Sequence, residues 1–204
     1  MLWHQPNRGC QCPTRVHGEF RAVVQVPGEP LQIDGVSLSG NGMVGMCCCP
    51  GRLEFSSIGV RMRDLDRDFD TITDWNPLTV ISLIEQHEFS ILGVAHLPQR
   101  FEVAPFDWYH CPIIDLGAPG TRFEAQFAHI EPELLAQLDR GEKILLHCAA
   151  GLGRAGTIAG RLLIGAGKLP EDAIGDIRRA RPGAIESKSQ EDYLLSFTPG
   201  KFQG

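Results

Sequence analysis

EKILLHCAAGLGRAGT, residues 142–157, is the stretch whose reading decides the fold. Its first part, KILLHC, is an apolar run of strand length, and Gly151, Gly153 and Gly156 punctuate the turn that follows. Residues 154–166 then continue in helix-forming pattern. A strand that delivers a glycine-rich turn to the start of a helix places that turn where open α/β sheets bind ligands, beyond the carboxyl ends of the strands. The glycines let the backbone turn tightly with its amides pointing inward, and the helix behind contributes its positive N-terminal end. The segment is an anion cradle.

Within the cradle, Cys148 opens the turn and Arg154 closes it. A thiolate at the mouth of a ring of N–H donors is a nucleophile, and a guanidinium at the rim grips two phosphate oxygens in bidentate fashion. The pair describes phosphoryl transfer through a cysteinyl-phosphate, with Ala149, Ala150, Gly151, Leu152, Gly153 and Arg154 binding the phosphate. The same letters spell Gly151-x-Gly153-x-x-Gly156, the dinucleotide fingerprint. That reading asks for a second strand ending in an acidic residue, but EDAIGDIRRA (171–180) is patterned as helix, and Cys148 and Arg154 go unexplained.

Outward from this segment, strands and helices alternate. FRAVVQV (20–26) and GMVGMCCC (42–49) read as strands closed by Pro-Gly, and TVISLI (79–84) and WYHCPIID (108–115) as buried strands. Helices are expected at 62–75, 85–93, 122–140 with a break or kink at Pro132, 154–166, 170–180 and 188–197. The acidic side of 62–75 (Asp64, Asp66, Asp68, Asp70) reads as solvated surface rather than a cation site. The fold class is α/β, a central mostly parallel sheet flanked by helices on both faces. A β-rich N-terminal extension over residues 1–40 is expected to pack on a domain spanning 41–204.

Of the 204 residues, 43% are hydrophobic, enough for one sizeable core. No apolar run is long enough for a membrane helix or a secretory signal, so a soluble cytoplasmic protein with no membrane partner is expected, as a monomer. The formal charge of −6 lacks the broad positive field that nucleic-acid binding needs. The seven cysteines read as reduced thiols. Neither Cys10-x-Cys12 nor Cys47-Cys48-Cys49 has a convincing zinc spacing, and no metal or organic cofactor is assigned. The Cys47–Cys49 run reads as small buried strand residues.

HCAAGLGRAGT resembles the H-C-x5-R-[S/T] signature of cysteine-dependent protein phosphatases. With HCPIIDLGAP and RPGAIESKSQEDYL, the similarity extends over residues 40–197 and is closest to the kinase-associated type of dual-specificity phosphatase. The resemblance implies a protein-tyrosine-phosphatase-like fold and hydrolysis of phosphomonoesters, with phosphorylated protein as the substrate class. Phosphotyrosine is preferred, with phosphoserine and phosphothreonine as further substrates. It implies that Asp115, ahead of Pro119, is the general acid and base, with Asp107 as the fallback. His147 would orient the loop around the thiolate, and Gln190 would position the hydrolytic water. A turn-capping aspartate, an ordinary buried strand histidine and a surface helix residue are the plain alternatives for Asp115, His147 and Gln190. The alternative for the whole chain is a catalytically weak phosphopeptide-binding module of the same fold.

One position departs from the pattern. Ala155 stands where the family usually carries a hydroxyl that assists the departing thiolate, and Thr157 is expected to point elsewhere. Slow hydrolysis of the intermediate follows. The loop interior, Ala149, Ala150 and Leu152, holds no lysine, which favours phosphoprotein over phosphoinositide. Arg178, Arg179 and Arg181 read as a solvated helix end that compensates its dipole, with attraction of acidic peptides as the alternative. A thiolate nucleophile is oxidisable, with Cys111 or Cys47–Cys49 as candidate resolving thiols.

Overall fold

The computed structural model describes residues 29–56 and 59–198. The strand expected at 20–26 and the Cys10-x-Cys12 pair lie outside the described residues. The strands are β1 (Asp34–Ser37), β2 (Met43–Cys47), β3 (Leu53–Ser56), β4 (Gly59–Met62), β5 (Thr79–Ser82), β6 (Asp107–His110) and β7 (Lys143–His147). Five of them form one sheet in the order β1-β2-β7-β5-β6, parallel except for the β1–β2 edge, and β3–β4 is a separate hairpin. β5 and β7 lie in the middle and are buried on both faces, which is why TVIS and KILLH show no polar alternation. The register sets Cys47, His147, Ser82 and His110 in one row across β2, β7, β5 and β6. The loops leaving that row therefore gather at one end of the sheet.

The helices are α1 (Leu65–Trp75), α2 (Glu88–Ile91), α3 (Leu97–Glu102), α4 (Thr121–Phe127), α5 (Glu131–Asp139), α6 (Gly153–Gly165), α7 (Pro170–Ala180) and α8 (Lys188–Leu195). None of these is long and apolar enough to cross a membrane. The last three match their expected positions closely. Elsewhere the structure corrects the expectation. Met62 ends β4 and is not on the first helix, because Asp64 caps α1 by accepting from the amides of Asp66 (3.1 Å) and Arg67 (3.2 Å). The helix expected over 122–140 is two helices, with Pro132 in the first turn of the second, where its missing N–H costs nothing. The strand at 42–49 ends at Cys47, so Cys48 and Cys49 belong to the loop beyond it. Asp68 is not solvated surface: it is buried, paired with Arg63 at 2.8 Å, and accepts the Gly51 amide at 2.9 Å. β1 falls within the stretch expected to be an extension and forms an edge of the main sheet.

α6 is buried along most of its length and packs on β2 and β7 and against α5, α7 and α8. Its Arg161 is held by both oxygens of Glu131 (2.6 and 2.7 Å), by Glu124 (2.7 Å) and by the Tyr193 hydroxyl, and it stacks on Phe127. A buried guanidinium is tolerable only when paired this fully. The cluster joins α4, α5 and α8 to the helix that carries the glycine-rich turn.

Candidate active site

The turn runs from Cys148 at the end of β7 to Arg154 in the first turn of α6. Gly151 has φ +76°, and a side chain there would drive Cβ to 2.4 Å from the Cys47 carbonyl group. Glycine is therefore required twice at this position, for conformation and for space. The close approach rests the turn on the Cys47–Cys48 backbone, and the Gly151 amide points back at the Cys148 sulfur, 3.2 Å away. The outer carbonyls of the turn are also taken: Ala149 O accepts from Arg52 (2.8 Å) and the Cys49 amide (3.2 Å), and Ala150 O from Arg181 (3.1 Å).

Arg154 is 1% exposed. Its Nη1 donates to Glu88 Oε2 (2.5 Å) and the Ile113 carbonyl (3.2 Å), and its Nη2 to Glu88 Oε1 (3.0 Å). Nη2 also lies 3.0 Å from Asp115 Oδ1. The Nε–H is buried with no hydrogen-bond partner among the described residues. Burial alone would raise the Glu88 carboxyl, but the Arg154 hydrogen bonds overcome it and hold that group below the usual carboxylate range. Asp115, by contrast, is 65% exposed. Cys148, Arg154 and Asp115 are thus brought to one place, as the sequence predicts. Asp107 is not: it opens β6 at the far end of the sheet, in register with Thr79.

His147 is fully buried, and its Nε2 lies 2.6 Å from the Ser82 hydroxyl, which also accepts from Trp108 Nε1 at 2.8 Å. Burial lowers its pKa to about 3, so the ring is neutral. Gln190 is buried, not a surface residue. Its Oε1 accepts from the amides of Glu186 (3.0 Å) and Ser187 (3.3 Å) in a capping box at the start of α8, and its Nε2 donates to the Gly117 carbonyl at 3.2 Å. A side chain on Gly153 would meet both ends of that amide within 3.1 Å, so Gln190 also lies against the turn. Ala155 is buried, and the Thr157 hydroxyl donates to the Gly153 carbonyl at 2.7 Å within its own helix.

Three functional neighbours were missed by the sequence reading: Glu88, Arg52 and Arg181. Arg181 is not a solvated helix end, since its Nη1 pairs with Asp34 (2.6 Å) while its Nη2 holds the turn. Arg178 stays exposed, as expected, but donates to the carbonyls of Ala184 (3.3 Å) and Ile185 (3.2 Å), and Arg179 is exposed and pairs with Asp176 on its own helix. The thiols of Cys47, Cys48 and Cys49 are pushed up by burial, and that of Cys111 to about 12.

The family model for the DSP-PTPase phosphatase of polymorphic toxin systems matches residues 58–168, more than half the chain. The chain belongs to the DSP-PTPase phosphatase family. Among its relatives, cyclin-dependent kinase inhibitor 3 of Homo sapiens is 29% identical over 82% of this chain and 79% of that protein. That of Sus scrofa is 30% identical over the same shares. Protein tyrosine phosphatase type IVA 3 of Bos taurus is 48% identical over a shorter stretch, 30% of this chain and 35% of that one. The solved structure of kinase associated phosphatase (KAP), with its catalytic-site cysteine changed to serine, superposes with a TM-score of 0.69 at 29% identity. The match covers 81% of this chain and 92% of that one. The phosphatase is therefore an α/β enzyme of the protein-tyrosine and dual-specificity class, which works through a cysteinyl-phosphate intermediate.

Proposed function

We propose that Cys148 is the nucleophile of this phosphatase, Arg154 its phosphate clamp and Asp115 its general acid and base. The observation that carries the assignment is the meeting of the three at the row's end, with Arg154 locked by Glu88 and still touching Asp115. In the first step the Cys148 sulfur attacks phosphorus, the S–P bond forms and the ester P–O bond breaks. Asp115 gives its proton to the leaving oxygen. The Arg154 Nε–H, without a partner among the described residues, is the donor left for a phosphate oxygen, and the amides of residues 149–154 cradle the others. In the second step Asp115 takes a proton from water as the water oxygen bonds to phosphorus, and the S–P bond breaks to return the thiolate and inorganic phosphate.

His147, neutral and tied through Ser82 to Trp108, orients the start of the turn. The lysine-free interior of Ala149, Ala150 and Leu152 supports phosphotyrosine protein as the preferred substrate, with phosphoserine and phosphothreonine as further ones. The net charge of −6 supports a chain without a nucleic-acid partner, and the same reading takes it as a cytoplasmic monomer.

Hydrolysis of phenyl phosphate, whose leaving group is basic, by wild type, Cys148→Ser and Asp115→Asn tests the roles. Turnover is lost in the first variant and falls by roughly 10² or more in the second for poor leaving groups. Residual turnover at the wild-type level in Cys148→Ser removes the nucleophile assignment. Phosphopeptide binding by a wild type that turns nothing over makes the protein a binding module.

A further inference from the structure

The segment that carries Asp115 is held in an unusual way. Gly117 N donates to the Ile114 carbonyl at 3.0 Å, closing a four-residue turn with Asp115 and Leu116 at its centre. Leu116 takes φ +56°, a conformation that glycine or asparagine normally supplies in such a turn. A leucine there is strained and persists only when the surroundings fix it. Burial does not fix it, because Ile114 and Leu116 are 70% and 56% exposed. Beside the pair between Asp115 and Arg154, what holds it comes from the first turn of α8. Ser189 Oγ donates to the Leu116 carbonyl at 3.4 Å, and Gln190 Nε2 to the Gly117 carbonyl at 3.2 Å. The orientation of the Gln190 amide follows from its neighbours: two backbone N–H groups face Oε1 and a carbonyl faces Nε2.

We propose that Gln190, with Ser189 beside it, is a positioning residue for Asp115. The start of α8 latches the acid-bearing turn, and Gln190 serves formation of the cysteinyl-phosphate. This role differs from aligning the water that hydrolyses it, since Oε1 and one of the two Nε2–H donors are already committed to the protein. The inference rests on the reading of Asp115 as the acid, and the test separates the two.

Gln190→Glu keeps the capping-box acceptor and removes the donor to Gly117, so α8 and the fold are preserved while the latch is opened. The quantity to measure is kcat/KM, which reports the first step, over aryl phosphates with progressively more basic leaving phenols. For phenyl phosphate the variant is expected to lose about tenfold, against less than about twofold for p-nitrophenyl phosphate, which needs little protonation. Asp115→Asn shows the same trend more steeply, and adding Gln190→Glu to it costs nothing further on phenyl phosphate. Ser189→Ala, which leaves the capping box alone, follows in the same direction with a smaller loss and carries the test should Gln190→Glu fold poorly.

A loss equal for every leaving group assigns the effect to charge or to packing and overturns the latch. So does an unchanged kcat/KM with a lower kcat and a larger phosphoenzyme burst, the signature of a water-aligning residue. A flat leaving-group profile in Asp115→Asn itself overturns the acid assignment. A steep profile there with a flat one in Gln190→Glu overturns the latch alone.

Discussion

The two loops that face each other across the site are built on opposite principles. The phosphate-binding turn is buried and braced from behind: Arg52 and Arg181 hold its carbonyls, the Cys47–Cys48 backbone supports Gly151, and Glu88 fixes Arg154 through two bonds. The acid-bearing turn projects outward, with a strained Leu116 and exposed side chains on either side of Asp115. The difference follows from what each does. Donors that stabilise developing charge must be in place before the reaction, since any reorganisation during it raises the barrier. A proton donor must instead meet leaving groups of varied shape, and it must first leave the Arg154 guanidinium it touches.

The comparison is broken most severely at Glu88. Glu88→Gln removes the charge that faces Arg154 and at most one of its two bonds, leaving a buried guanidinium poorly matched. A displaced clamp is expected to lower kcat/KM by about 10² for every substrate alike. The weakened pairing of a buried guanidinium, left with Asp115 as its carboxylate partner, should also lower the melting temperature, by less than the roughly 3–5 kcal/mol that leaving a buried charge unpaired costs. A kcat/KM within a few-fold of wild type would show that the turn alone orients Arg154. The outer braces should matter less. Arg52→Met and Arg181→Met each leave one turn carbonyl without its guanidinium donor, and a loss of about tenfold in kcat/KM is expected for each. Because the two carbonyls are adjacent, the double variant should lose less than the product of the singles.

How much of this was legible follows from where each interaction closes. Cys148, Arg154 and the three glycines lie within nine consecutive positions, so their geometry is local and the strand–turn–helix pattern determines it. The three last helices were likewise legible from their periodicity. Glu88 stands in a four-residue helix, 66 positions from Arg154, and nothing in EQHEFS marks which side chain turns inward. Arg181 sits where a helix-end arginine balances the dipole, and only the arrival of Ala150 and Asp34 gives it another role. The same holds for Asp68, which one periodic reading assigns to solvent and Arg63 draws into the interior. The β3–β4 hairpin escaped because LEFS and GVRM alternate over only four residues each, and Met62 fits the apolar face of the following helix as well.

His147 sharpens the comparison through stability rather than rate. Burial lowers its pKa from the ordinary 6.5 to about 3. As pH falls through that window, the unfolded chain binds a proton that the folded chain refuses. Stability is therefore highest above about pH 6.5 and declines on acidification, by up to about 1.4 kcal/mol for each pH unit. Glu88 does not add to this slope: a lowered carboxyl contributes stability that is lost only below its ordinary 4.5. Between about pH 7 and about pH 5 the melting temperature of wild type should fall more steeply than that of His147→Asn. Parallel curves would place the acid sensitivity elsewhere.

A gain rather than a loss is expected at Ala155, the one residue of the braced turn that supplies less than the chemistry asks. Its methyl group is buried beside the nucleophile's loop, and the nearest hydroxyl, Thr157, is committed to the Gly153 carbonyl. The thiolate that leaves in the second step thus gains no hydroxyl donor from either position. Ala155→Ser adds one at the cost of a single oxygen atom. A hydrogen bond to a charged group contributes about 1.5 kcal/mol at the low end, so breakdown of the intermediate should quicken by about tenfold. The first step should hardly change, since kcat/KM does not include the second. Stopped-flow hydrolysis of a fast-leaving aryl phosphate separates the two: wild type shows a burst of phenol, and the burst shrinks in Ala155→Ser while kcat rises. Bursts of equal size would mean that the braced backbone amides already carry the departing thiolate, and that the rigidity of this turn makes a hydroxyl unnecessary.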